Sequence, residues 1–278
     1  MPLDLDSIGK PLGPFVKTYE WKDVVLYALG VGAGFSELEY CYEKHLKVIP
    51  TFAIAAVFDF FFHVAGAAGV HLPGVLHGEQ DLVLHRPLPA SGTLTTRGNI
   101  THCYDKGAEK GALVVAESRT SQADGAPLFT STVTLFARGD GGFGGADAPK
   151  RRIDLPDRAA DAVMDDRPSP DQPLLYRLSG DLFELHADPA FAAAAGFERP
   201  IMHGLCTLGF ACRALMRHLT PGAPEKVRRI ACRFSKPLYP GEPIRTRIWQ
   251  TGPGMAFWQT VDAAGAPIIS RGVFEYTA

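Results

Sequence analysis

Asp181 and His186 are the residues of this chain whose types and spacing most readily do chemistry. They lie in Tyr176-Arg177-Leu178-Ser179-Gly180-Asp181-Leu182-Phe183-Glu184-Leu185-His186-Ala187-Asp188-Pro189, the densest polar cluster of the sequence. The apolar run 174–178 reads as a strand ending at the Ser179-Gly180 pair, so the carboxylate and the imidazole fall on the following loop. A loop can fold an i, i+5 pair around one small molecule, which a rigid strand does not. A carboxylate and an imidazole sharing one water form a general acid–base arrangement. A plainer use of the same residues is an aspartate capping a turn and a histidine packed on the next helix.

A second signal follows in Arg199-Pro200-Ile201-Met202-His203-Gly204-Leu205-Cys206-Thr207. Proline and glycine precede an amphipathic run, which places Gly204 in the first turn of a helix. Backbone N–H groups are free there and the helix dipole is positive, which suits a developing oxyanion. A helix start that needs a small residue is the plainer alternative. Water activation beside an oxyanion site points to chemistry next to a carbonyl.

Other polar residues carry less. Leu76-His77-Gly78-Glu79-Gln80 opens an otherwise apolar strand, where a single histidine is usually a satisfied core residue. Glu43, in Tyr42-Glu43-Lys44-His45-Leu46, falls on a surface loop. The 9 histidines form no HxH, HxxH or HExxH, so no metal site is expected. Gly30-Val31-Gly32-Ala33-Gly34 follows no convincing strand, so no dinucleotide site is expected either.

The elements that must position these groups come in the same order twice. The first half has a strand at 15–20, a short helix at 21–29 and an apolar helix beginning near Thr51, its candidate N-cap, and running to about 70. Strands at 75–85, 93–104, 112–120 and 127–138 follow, with Lys106-Gly107 and Asp124-Gly125 as turn signals. The second half has the strand 174–178, a short Ala-rich helix at 189–195 and a long apolar helix at 204–218. Strands at 228–235, 242–251, 257–261 and 268–276 complete it. A Pro/Gly/Asp-rich stretch within 140–172 separates the halves, so the expected units are 1–150 and 151–278. One long helix followed by antiparallel strands, twice over, is an α+β plan with a pseudo-symmetric body. The pattern does not decide whether each sheet engulfs its helix or only covers one face of it.

Composition narrows the function classes. With 46% hydrophobic and 21% charged residues the chain is globular, not disordered. A balance of 28 basic against 30 acidic residues, with Lys150-Arg151-Arg152 the longest like-charge run, argues against a nucleic-acid partner. The 5 cysteines (Cys41, Cys103, Cys206, Cys212 and Cys232) include no CxxC and read as reduced thiols. The first residues lack a secretory pattern, and the apolar stretch 52–70 is broken by Asp59 and His63. A cytoplasmic location without membrane association is therefore expected.

These residues resemble the type 2 (R-specific) enoyl-CoA hydratases of the MaoC-like, double hot-dog family. The hydratase portion of peroxisomal multifunctional enzymes type 2 is the nearest likeness. The resemblance runs through Tyr27-Ala28-Leu29-Gly30-Val31-Gly32-Ala33, Pro50-Thr51-Phe52, Val75-Leu76-His77-Gly78-Glu79-Gln80 and Pro87-Leu88-Pro89. It continues through Gly141-Gly142-Phe143-Gly144-Gly145, Leu175-Tyr176-Arg177-Leu178-Ser179-Gly180-Asp181 and His203-Gly204-Leu205-Cys206-Thr207. Arg233-Phe234-Ser235-Lys236-Pro237 and Tyr239-Pro240-Gly241 complete it. It implies that each half is a hot-dog, a sheet wrapped round one helix, with the catalytic motif in the C-terminal half and an acyl tunnel shaped by the N-terminal one. In the family the motif reads Gly-Asp-x-Asn-Pro-Leu-His. Asp181 and His186 match its acid–base pair, and Gly204 matches the backbone oxyanion donor. The resemblance further implies that His77, Gly78, Lys106, Phe183, His203 and Phe234 border the acyl-CoA, with Tyr27, Glu43 and His203 at supporting polar positions. Phe183 and Glu184 stand where the family has Asn and Pro.

The reaction so implied is hydration of a trans-2-enoyl-CoA to the (3R)-3-hydroxyacyl-CoA and its reverse. It needs no metal or redox cofactor, since coenzyme A is part of the substrate, and a homodimer is the expected assembly. Sequence leaves open which of Asp181 and His186 is base to the water. Two readings compete with it: an acyl-CoA thioesterase, and an acyl-CoA-binding pseudoenzyme motivated by Phe183. The helix at 204–218 has no Asp or Glu, which argues against the thioesterase.

Overall fold

The computed structural model describes residues 3–149 and 153–278; Lys150-Arg151-Arg152 lies outside the described residues. Ten strands form among the described residues: β1 (Pro11–Tyr19), β2 (Val75–Leu84), β3 (Gly92–Asp105), β4 (Ala112–Gln122), β5 (Pro127–Ala137), β6 (Ala162–Asp166), β7 (Val227–Phe234), β8 (Ile244–Gly252), β9 (Met255–Val261) and β10 (Pro267–Tyr276). Period-two alternation drives them: along β4, Ala112, Val114, Ala116, Ser118 and Thr120 are buried and the residues between them are not. Seven α-helices of the described residues accompany them: α1 (Trp21–Gly30), α2 (Leu38–Cys41), α3 (Phe52–Ala56), α4 (Asp59–Ala68), α5 (Gln172–Tyr176), α6 (Pro189–Ala194) and α7 (Gly204–Leu219).

All ten strands join one antiparallel sheet in the order β1-β3-β4-β5-β2-β7-β10-β9-β8-β6. Read inward from either edge, the strands of each half follow the same order, so the duplicated sequence plan becomes a duplicated topology. The halves meet where β2 pairs with β7, Glu79 opposite Arg233 and Val83 opposite Arg229. Arg229 pins this seam, donating to both Asp81 carboxylate oxygens at 2.8 and 2.7 Å and to Glu275 at 2.8 Å.

The question of engulfment is answered at α7, where every residue from 205 to 216 is buried. One face meets the sheet. The other meets the turn after α1 so closely that a Cβ on Gly209 would lie 2.3 Å from Val31 Cγ1. Arg213, in the same helix, forms a buried pair with Glu37 through Nε at 3.0 Å and donates from Nη1 to the Val31 carbonyl at 2.9 Å.

Four expectations change. The run 174–178 is not a strand: Pro173 in the first turn starts α5, which continues as a 3-10 turn over Arg177–Ser179. Five apolar residues carry too little periodicity to separate helix from strand. The helix expected from Thr51 to about 70 is two helices, broken at Val57-Phe58, because α3 packs in the main core and α4 in a second one. Thr51 makes no side-chain cap and already has near-helical backbone angles. Within the presumed linker, β6 adds an edge strand on β8, its acidic tail having hidden it. No helix of the described residues is long and apolar enough to cross a membrane.

Candidate active site

A cavity of about 630 Å³ opens where the end of the β2–β7 seam meets the α3–α4 break and the loop after α5. Asp181, His186, Gly204, His77, Gly78, Phe183 and Phe234 all line it. Of the other sequence-identified residues, Lys106 is exposed on the turn after β3, its Nζ 6.0 Å from the ring of the lining residue Phe136. Tyr27 is buried behind the site, and Glu43 is exposed on a turn outside the lining.

The loop that carries Asp181 and His186 is held by local bonds. Gly180 has φ +135°, and a Cβ there would sit 3.4 Å from the Ala55 carbonyl, so the loop rests on the end of α3. The Phe183 N–H donates to Asp181 Oδ1 at 3.2 Å, and a 3-10 turn over Glu184–His186 aims the imidazole inward. Leu185 is buried with Ala192 and Ile201, which anchors that turn. Asp188 then caps α6 through the N–H groups of Ala190 and Phe191, at 2.7 and 3.2 Å. Glu184 faces solvent.

His203, at the N-cap position of α7, contributes more than sequence spacing indicates. Its ring stacks on His186 with centroids 3.8 Å apart, and its Nε2–H donates to the Asp181 backbone carbonyl at 3.1 Å. Tyr176 packs behind it at 4.9 Å, and Tyr27 behind Tyr176 at 6.0 Å. One histidine thus ties the carboxylate loop, the imidazole and the helix N-terminus together.

The electrostatics are set by burial. It pushes the Asp181 carboxyl up to about 6, against the Phe183 N–H and the Arg177 charge, which favour the carboxylate. It drops His186 to about 4 and His203 well below its ordinary value, so both rings are neutral near pH 7. His186 Nδ1 lies 2.9 Å from the Ile201 carbonyl, which can only accept, so Nδ1 carries the proton and Nε2 keeps its lone pair. The Gly204 N–H has no acceptor among the described residues. A Cβ at Gly204 would stand 3.1 Å from the Phe234 ring, which itself packs edge-on to His77 at 5.0 Å.

Asp181, His186 and His203 bring possible ligand atoms within 4.8 Å of one another, a grouping no sequence spacing rule detects. The histidines each commit one nitrogen to a carbonyl, which leaves one nitrogen on each stacked ring beside the Asp181 carboxylate. Phe183 occupies the family's Asn position as a wall, its ring edge-on to His186 at 6.4 Å and to Phe191 at 5.2 Å. At the rim stand Arg138, Arg233, Lys236 and Arg271, while Asp181 is the one acidic side chain among the described lining residues. An apolar chamber with a cationic mouth suits a ligand with an oily end and an anionic one.

Two hot-dog halves fused through one sheet, with a carboxylate and an imidazole beside a helix N-terminus, define a MaoC-like double hot-dog enzyme. Residues 18–139 match the family described as MFE-2 hydratase 2 N-terminal domain, and residues 149–269 match the MaoC-like domain. The 3-hydroxyacyl-thioester dehydratase Y of Mycobacterium tuberculosis is 41% identical over 294 aligned positions covering 100% of both chains. A probable enoyl-CoA hydratase 2 of Dictyostelium discoideum is 38% identical, over 96% of this chain and 95% of that one. The crystal structure of a MaoC-like dehydratase from Phytophthora capsici superposes with a TM-score of 0.87 at 34% identity, covering 99% of each chain. The chain belongs to the MaoC-like enoyl-CoA hydratase 2 family.

Proposed function

We propose that this protein catalyses the reversible hydration of trans-2-enoyl-CoA to (3R)-3-hydroxyacyl-CoA. The observation that carries the reading is the convergence of Asp181, His186 and the free Gly204 N–H on one apolar, cation-rimmed cavity. The names of the dehydratase and hydratase relatives support the reaction class.

The thioester carbonyl accepts from the Gly204 N–H at the positive end of α7, which makes C3 electrophilic and holds the enolate charge that develops. A water between the pair donates one hydrogen to the Asp181 carboxylate and the other to His186 Nε2. Asp181, the stronger base of the two at about 6 against about 4, takes the proton as oxygen adds to C3. The same proton then passes from Asp181 to C2 on the face from which water came. Dehydration runs these steps backward. His186 positions the water, with His203 stacked behind it.

The Phe183 side chain favours a second reading, an acyl-CoA-binding protein with little turnover, because it offers the water no hydrogen bond. A panel of trans-2-enoyl-CoAs of graded length, followed by loss of enoyl absorbance and chiral analysis of product, separates the two. Turnover to the 3R product supports the hydratase. Tight binding without turnover supports the alternative, and 3S product overturns the proposed stereochemistry.

A further inference from the structure

Arg271 stands out in the second half-sheet. It has φ +53°, one of two non-glycine residues among those described with a positive φ, and it sits inside strand β10. The pairing of β10 slips there on both sides, between Ser270 and Val273 against β7 and between Ile269 and Gly272 against β9. A non-glycine residue in left-handed backbone is strained, and a bulge of this kind redirects a side chain that the regular pleat would aim elsewhere. Its neighbour Gly272 has no room for a side chain, because a Cβ there would lie 2.3 Å from the Trp258 carbonyl oxygen.

The redirected guanidinium reaches the rim of the catalytic cavity and also lines a second cavity of about 210 Å³ over the β2–β7 seam. Arg233 lines both as well and stands opposite Ser270 in register. Two arginines therefore form the sill between the acyl chamber and an outer groove. Among the described residues Arg233 makes no ion pair, and Arg271 makes only a long one to Glu79, at 3.7 Å. By contrast the nearby Lys236 is committed to Asp262 at 2.7 Å.

We infer that Arg271, with Arg233, grips the diphosphate of a free coenzyme thioester, and that the bulge exists to aim it there. This rests on the hydratase reading and adds a determinant of the carrier: the sill selects a thioester with a nucleotide diphosphate over one with a short neutral thiol. Guanidinium forks suit phosphate oxygens, and each such charged contact is worth about ten- to hundredfold in affinity. Glu79 competes with the phosphate for Arg271 and so tempers the grip.

The test is Arg271→Gly, a change that glycine's freedom at φ +53° makes compatible with the bulge while it removes the cation. Steady-state rates are measured on crotonyl-CoA and on the crotonyl thioester of N-acetylcysteamine, which shares the acyl group and lacks the nucleotide. The ratio of kcat/KM between the two should fall about tenfold or more, through KM for the CoA substrate. Titration calorimetry with CoA itself should show the same loss of affinity, and Glu79→Gln should move CoA binding the other way. If Arg271→Gly lowers both substrates equally, or binds CoA as the parent does, the inference is overturned. A parent enzyme inactive on both thioesters would instead overturn the hydratase reading, while the CoA titration would still decide the role of Arg271.

Discussion

Replacing Asp181 by asparagine should make the protein more stable and nearly inactive, and the size of both effects follows from the site. Burial raises the Asp181 pKa from 3.8 to about 6, so the folded state prefers the protonated carboxyl. A group of this kind contributes its stability below its unfolded pKa and loses it as pH rises through its folded pKa. The shift corresponds to roughly 3 kcal/mol of strain at pH 8, which shrinks below about 1 kcal/mol by pH 4. An amide of the same shape carries no charge to bury, and its carbonyl oxygen can still accept from the Phe183 N–H. For a chain of 278 residues the melting entropy makes 3 kcal/mol worth about 5 °C in Tm. Calorimetry on parent and Asp181→Asn should therefore show the variant melting about 5 °C higher at pH 8, with the gap closing toward pH 4. His186 titrates in both proteins, so its contribution largely cancels in the difference. In parallel, turnover of crotonyl-CoA should drop on the order of 10²- to 10⁴-fold, and parent kcat/KM should rise with pH through about 6. A stability gap independent of pH would refute the burial argument, and near-parent turnover by Asp181→Asn or Asp181→Ala would refute the catalytic assignment.

Three further outcomes are expected. Phe183→Asn, alone and with Glu184→Pro, should raise kcat on crotonyl-CoA, since the missing hydrogen bond is worth about 1–3 kcal/mol; if both variants are slower across an acyl-length panel, the ring belongs to the working site. Gly204→Ala should keep the unfolding free energy within about 1 kcal/mol of the parent's, because alanine favours helix, yet lower kcat as the new methyl pushes Phe234 from 3.1 Å toward His77; unchanged kcat would remove Gly204 from the oxyanion site. Arg213→Met should cost about 3–5 kcal/mol in urea unfolding by stranding the buried Glu37, and Glu37→Gln in the same chain should recover part of it; a loss under 1 kcal/mol would show that the pair is dispensable.

Much of this protein was legible from local signals. Strands such as β4 announce themselves because a half-buried pleat forces alternate residues to be apolar, and α7 does so because its length and apolar content suit no other state. The duplicated order of elements followed from those signals. Asp181, His186 and Gly204, which the fold brings to one cavity, could be singled out because short loops and a helix start are local signals. What tertiary structure decided depends on neighbours distant in the chain. The apolar run at 174–178 became helix because Tyr176 packs against His203 and Tyr27, contacts no window of sequence contains. The helix after Thr51 broke where two separate cores claimed its two ends and the Gly180 loop needed a seat. His203, which the resemblance set beside the acyl-CoA, is buried behind His186 and outside the cavity lining, because α7 begins against that ring. The cationic sill arose the same way: Arg233 and Arg271 are 38 residues apart in sequence, and only the pairing of β7 with a slipped β10 sets them side by side. Periodicity records which face of an element is buried, but not which other element buries it.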